Sequence, residues 1–298
     1  MQIIKVRPQG YCGGVLKAID MAKQARQQYP DEKITILGNL VHNAYVKKAL
    51  AKENIQTLED PSKTRLELLE EIDDGIVIFT AHGIHPQVKE KALHKGLHVI
   101  DASCPFVLQT QKIVQQKLLE GYDVFYVGKY QHPEAESIYT LSPSVHLIQD
   151  THIPDITNPH IFVTNQTTMS IEDIDHIFQA IKDKYPAAVF HDEICNATRI
   201  RQQAILDLKD QNIDILIVVG DPSSNNTQKL LEIGKSANIP LRLKVQTFQD
   251  IDRQALDPNA KIAITSGAST PPYLTNQVIA YLQGKITKKE EIQIGKIL

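Results

Sequence analysis

Three cysteines, Cys12, Cys104 and Cys195, punctuate the 298 residues at intervals of about ninety. No CxxC pair is present, so zinc-ribbon and thioredoxin-like readings have no local support. A lone cysteine is by default a small buried hydrophobe. Here each one follows an apolar strand-like run and precedes a helical one, and that recurrence points to a shared role. Thiolates brought to one point select zinc or iron–sulfur. Three of them leave one position open at a tetrahedral zinc, or one iron of a four-iron cluster without a protein ligand. An open position belongs to catalysis more than to structure.

Other polar residues fall in comparable loops. They are His42 in Val41-His42-Asn43, His82 in Ala81-His82-Gly83, and His132 with Glu134 in Gln131-His132-Pro133-Glu134. Thr167 lies in Asn165-Gln166-Thr167-Thr168, Ser224 and Asn226 flank Asn225 in Ser223-Ser224-Asn225-Asn226, and Ser269 ends Ser266-Gly267-Ala268-Ser269. Taken singly these are caps, turns and first-turn carboxylates. Taken together they are neutral donors at strand-to-helix loops, where helix N-termini favour anions. Gly13-Gly14, directly after Cys12, permits close backbone approach.

The elements that must position them repeat three times. Ile3 to Val6, Leu97 to Ile100 and Ala187 to Phe190 each deliver a cysteine to a helical stretch. Strong strands ending near glycine follow at Ile34 to Gly38, Val124 to Gly128 and Ile213 to Gly220. A further strand precedes each second polar loop: Ile76 to Thr80, Ile161 to Thr164 and Ile262 to Thr265. The pattern predicts an α/β protein of three similar units with parallel-rich sheets, at residues 1–103 (with the N-terminal strand and Cys12), 104–194 and 195–284, then a tail at 285–298. Ligands bind outside the carboxyl ends of such strands. Units set around a pseudo-threefold axis would bring the cysteines to one central metal site.

Composition narrows the partners. A net charge of −3 gives no basic stripe for nucleic acid. The longest apolar runs, such as Ile213 to Val219, are too short to span a membrane. The chain opens on a strand pattern without a signal-peptide core, which implies the cytoplasm, where thiols stay reduced. Neither a Walker A nor a GxGxxG motif is present. The 285–298 segment mixes charge with a short alternating run; an edge strand and a cover over the site are both open to it.

The motifs Gly10-Tyr11-Cys12-Gly13-Gly14-Val15, Val41-His42-Asn43, Ala81-His82-Gly83 and Asp101-Ala102-Ser103-Cys104-Pro105 appear in that order. His132-Pro133-Glu134, Gln166-Thr167-Thr168, Ile194-Cys195-Asn196-Ala197-Thr198 and Ser266-Gly267-Ala268-Ser269 follow. With these eight motifs the chain resembles the LytB/IspH family of 4-hydroxy-3-methylbut-2-enyl diphosphate reductases over nearly its whole length. The resemblance implies a trefoil of three α/β domains around one [4Fe-4S] cluster, held by Cys12, Cys104 and Cys195, with the fourth iron open to the substrate hydroxyl. It further implies diphosphate binding by His42, His82, His132, Ser224, Asn225, Asn226 and Ser269. Glu134 would be the proton donor, with Thr167 beside the substrate hydroxyl. The implied partners are an allylic diphosphate and a one-electron donor such as ferredoxin or flavodoxin. Three residues depart from the family pattern: Asn225 stands where many members carry a second serine, and Asn165 where a threonine is common. Asp221 precedes the Ser224 loop and must point away from a diphosphate. Rival readings are a zinc hydrolase, a redox sensor and an idle relative that has kept the fold; only the iron–sulfur readings make the protein brown.

Overall fold

The computed structural model describes residues 1–298. The chain divides into two compact units, one made of Met1–Leu16, Val41–Asn54 and Asn196–Leu298, the other of Lys17–Leu40 and Ile55–Cys195.

The first unit is built on β1 (Gln2–Lys5), β10 (Ile215–Val219), β11 (Leu241–Val245) and β12 (Lys261–Ser266). They form one parallel sheet in the order β1-β12-β10-β11. β10 is buried along its full length, as expected of a continuous Ile-Leu-Ile-Val-Val run covered on both faces. Leu216 and Val218 pack with Leu230 and Ile233 of α9 (Asn225–Ser236) and Ile205 of α8 (Asn196–Leu206). α10 (Pro272–Leu282) and α2 (Ala44–Lys52) also belong to this unit.

The second unit carries two parallel sheets. β2 (Ile34–Leu37), β3 (Ile55–Leu58), β4 (Ile76–Phe79) and β5 (His98–Asp101) are ordered β3-β2-β4-β5. Leu37, Val77 and Phe79 of this sheet meet Leu68 and Leu69 of α3 (Arg65–Glu70) and Val88 of α4 (Pro86–His94). β6 (Asp123–Val127), β7 (Val145–Ile148), β8 (Ile161–Asn165) and β9 (Val189–Phe190) are ordered β7-β6-β8-β9. The two-residue alternation of β6 sends Phe125 and Val127 toward α7 (Ile171–Lys184), and Val124 and Tyr126 toward α5 (Pro105–Leu119) and α6 (Pro133–Tyr139). No helix is long and apolar enough to cross a membrane.

The α/β class and the threefold repeat match expectation; one strand is assigned differently. β1 pairs with β12, Ile4 lying opposite Ala263, so the strand feeding Cys12 completes the sheet of the last repeat and not that of residues 34–101. The reason is edge availability. Beside β4 the position is taken by β5, the strand that feeds Cys104, and beside β8 by β9, which feeds Cys195. β1 fills the equivalent position beside β12. The 285–298 segment contributes no strand; it ends in a 3-10 turn at Ile294–Lys296 with Ile297 buried.

Two glycines in the first unit are set by packing. A Cβ on Gly220 or Gly267 would lie 2.3 Å from Oγ1 of the fully buried Thr227. Gly220→Ala should cost about 1–3 kcal/mol, the range for overpacking, and Thr227→Ala in the same chain should restore part of it. Chemical denaturation of the two variants measures both effects.

Candidate functional site

Every cysteine sits immediately before a helix: Cys12 before α1 (Gly13–Gln28), Cys104 as the N-cap of α5, Cys195 before α8. The thiol of Cys104 makes no capping hydrogen bond. All three are half-buried and outside any disulfide. Their backbone N–H groups share one pattern. Cys12 N–H donates to the Ala268 carbonyl (2.9 Å), Cys104 to Ala81 (3.0 Å) and Cys195 to Thr167 (3.2 Å). Each acceptor lies in the loop after β12, β4 or β8, the strand beside the one that feeds the cysteine. A thiol is thereby fixed against a polar loop in three places.

In the second unit a continuous chain of contacts runs from Cys104 to Cys195. His82 follows Ala81, and its ring meets that of His132 edge-on, with centroids 5.6 Å apart. His132 caps α6, its Nδ1 accepting from Glu134 N–H at 3.2 Å. That bond leaves the proton of a neutral ring on Nε2, which can then donate to an anion. Gln131, just before it, holds a left-handed φ of 60°, a strained conformation of the kind that collects at functional loops. Glu134 Oε1 accepts from Thr167 N–H (2.7 Å) and Oε2 from the Thr167 hydroxyl (3.0 Å). Burial of Glu134 is nearly complete. Desolvation pushes its pKa up to about 7, against the lowering effect of both Thr167 bonds and with a smaller upward contribution from Glu193. Thr167 then returns to Cys195 through its carbonyl.

In the first unit the loop before Cys12 is held from several sides. Gly10 N–H donates to Ser266 Oγ (2.7 Å), and the Gly10 carbonyl accepts from Arg201 Nη2 (2.8 Å). Gly10 has φ +77°, and a Cβ there would meet Pro272 at 2.8 Å, so only glycine fits. Ser269 Oγ donates to the His42 carbonyl at 2.9 Å, tying two candidate residues together. Asn43 caps α2, its Oδ1 accepting from Tyr45 and Val46 N–H. Ser224 caps α9, accepting from Thr227 N–H, while Asn225 and Asn226 form its first turn. Both side-chain polar atoms of Asn226 are buried without a protein partner. An unsatisfied buried amide at a helix N-terminus is suited to a polar ligand.

The Asp221 carboxylate is taken up by protein donors. It accepts from Ala44 N–H (2.8 Å), Ser223 N–H (2.9 Å), Ser223 Oγ (2.7 Å) and Gln246 Nε2 (3.0 Å). Burial would raise its pKa, but the Ser223 and Ala44 hydrogen bonds, with His42 nearby, hold it below the usual carboxylate range. Asn165 is likewise structural: its Oδ1 accepts from Glu193 N–H and its Nδ2 donates to the Gln166 carbonyl.

Residues 3–283 match the family model described as LytB protein. The chain belongs to the LytB family. Among its relatives, a 4-hydroxy-3-methylbut-2-enyl diphosphate reductase of Geobacillus kaustophilus is 43% identical over 288 residues, covering 95% of this chain and 90% of the relative. The Brevibacillus brevis protein of the same name is 40% identical over 311 residues, covering 100% and 99%. A solved structure, the E-1-hydroxy-2-methyl-but-2-enyl-4-diphosphate reductase of Plasmodium falciparum, superposes with a TM-score of 0.87 at 34% identity, covering 95% of this chain and 88% of that one. A second, an (E)-4-hydroxy-3-methyl-but-2-enyl diphosphate reductase, the terminal enzyme of the non-mevalonate pathway, gives a TM-score of 0.66 at 27% identity, covering 95% and 99%.

Two features of this LytB-family chain were missed in the sequence. Arg201, 3% exposed, braces Gly10 and Ala197 through their carbonyls; its i, i+4 spacing from Ala197 in a helix was the available clue. Asp221 orders the start of α2, which no local pattern signals. The Glu134–Thr167 pair yields a test. Thr167→Val removes one of the two bonds favouring the carboxylate and should raise the Glu134 pKa by about one unit. Infrared titration of the protonated carboxyl band in the metal-free protein measures it.

Proposed function

We propose that this chain is a 4-hydroxy-3-methylbut-2-enyl diphosphate reductase that holds one [4Fe-4S] cluster on Cys12, Cys104 and Cys195. The observation that carries the reading is Glu134: a buried carboxyl with a pKa of about 7, bonded to Thr167, whose carbonyl anchors Cys195. A carboxylic acid still protonated near neutrality is what loss of a hydroxyl group requires, because hydroxide leaves poorly and water leaves well. Family membership and the relatives' names support the same assignment.

The donor set fits the cofactor: three half-buried thiols, each at the positive end of a helix dipole, which stabilises negative charge. When bound, the cluster supplies two electrons one at a time and an open iron that polarises the hydroxyl oxygen. The chain's own residues do the rest. Glu134 gives its proton to the departing oxygen, and Thr167, hydrogen-bonded to the same carboxyl, sits next to that transfer as relay. The allylic C–O bond breaks, water leaves, and with two electrons and a second proton the carbon skeleton becomes isopentenyl or dimethylallyl diphosphate. Nε2 of His132, with His42, His82, Ser224, Asn225, Asn226 and Ser269, binds the diphosphate. A small electron-transfer protein such as ferredoxin or flavodoxin delivers the electrons, and a cytoplasmic setting keeps the thiols reduced.

Protein reconstituted anaerobically should be brown and should reduce the hydroxylated diphosphate with a one-electron donor; colourless protein overturns the cluster assignment. Glu134→Gln should keep the colour and lose about 10²–10⁴-fold in kcat, the usual contribution of a general acid. The sign of the pH dependence follows from the acid form being active: kcat should fall as pH rises through about 7. A flat profile from pH 6 to about 9, or full turnover by the Gln variant, removes Glu134 from the mechanism.

A further inference from the structure

The 285–298 segment is fastened to the first unit along its length. Gln249 Nε2 donates to the Glu290 carbonyl (3.2 Å), and Gln293 N–H donates to the Tyr273 hydroxyl (3.2 Å). Lys296 Nζ stands 5.8 Å from the Tyr273 ring centre. The 3-10 turn Ile294–Lys296 packs on α2, and Ile297 is 2% exposed. Finally, the Tyr11 hydroxyl donates to the Ile297 carbonyl at 2.8 Å.

Two of these anchor points adjoin groups with chemical roles. Tyr11 immediately precedes Cys12, and α2 starts two residues after His42. We propose that residues 290–298 form a strap that positions Cys12 and His42, with Tyr11 as the positioning residue that transmits its hold to Cys12. The physical basis is the half-buried Tyr11 ring. Without Ile297 its part-buried hydroxyl loses its acceptor, and rotation toward water pulls on the backbone on which Cys12 rides. The Gly10 and Cys12 backbone bonds fix the turn on either side of Tyr11; the strap fixes the ring between them. On α2 the same segment supplies apolar cover, so one short stretch of chain acts on both groups.

The role of the strap at the two residues rests on the reductase reading, but its mechanics do not, and amide hydrogen exchange on the metal-free protein tests the mechanics alone. A chain stopped after Gln293 should exchange about fivefold faster or more at residues 11–16 and 44–50, a factor equivalent to about 1 kcal/mol. Tyr11→Phe, which keeps the ring, should reproduce the effect at 11–16 only. Exchange in β10 should be unchanged by either. In the reconstituted enzyme, Tyr11→Phe should also alter the electron paramagnetic resonance signature of the reduced cluster and hasten its bleaching in air. Unchanged exchange at 11–16 in both variants overturns the strap, as does equal acceleration in β10, which would be plain destabilisation. Local acceleration in a protein that takes up no cluster upholds the strap and overturns the reductase reading instead.

Discussion

One backbone hydrogen bond, made three times, organises the candidate chemistry. In each repeat the N–H of a cysteine reaches the carbonyl of a loop that leaves the carboxyl end of a neighbouring strand. The bond does not depend on the side chain and survives any protonation state. It sets the height of each cysteine backbone relative to its loop, and with it Ser269 and His82, which follow two of the acceptors, and Thr167, which is the third. Parallel pairing makes this possible, because all four strands of a sheet end at the same edge and their loops crowd together there.

Protonation in this setting is decided by the balance of burial against hydrogen bonds, and two carboxylates show both outcomes. Glu134 and Asp221 are each largely buried, so desolvation favours the neutral acid in both. Asp221 accepts four hydrogen bonds; those from Ser223 and Ala44, with His42 nearby, outweigh that penalty and tie Asp221 to the start of α2. Glu134 accepts two, both from Thr167, and they do not suffice. Asp221 is thereby kept below the usual carboxylate range, whereas Glu134 is pushed above it.

Much of this was legible from the sequence because it is local. Cysteine placement ahead of helices, apolar runs such as Ile215–Val219, and polar loops after strands all follow from short-range patterns that the structure repeats in three parallel sheets. What was not legible depends on partners distant in sequence. The assignment of β1 turns on which sheet edge is open, and nothing within Gln2–Lys5 encodes that. The bonds of Asp221 to Ala44 and Gln246 likewise come from residues that no pattern around position 221 points to. Among the candidate ligand residues, Ser224 could be anticipated as a cap, whereas the bond from Ser269 to the His42 carbonyl spans 227 residues and has no local trace.

The pairing of β1 with β12 also constrains when the site can come into being. Gly10 and Ser266 are 256 residues apart, yet their hydrogen bond helps hold the turn that carries the first thiol. At about 5–20 residues per second, translation leaves that turn without its partner for roughly 10–50 s. Throughout that interval Cys12 has no loop from residues 261–268 to dock against, even if the middle sheets have already closed around Cys104 and Cys195. The turn that carries Cys12 is therefore complete only once synthesis has passed residue 268, whatever the order in which the other two sheets close.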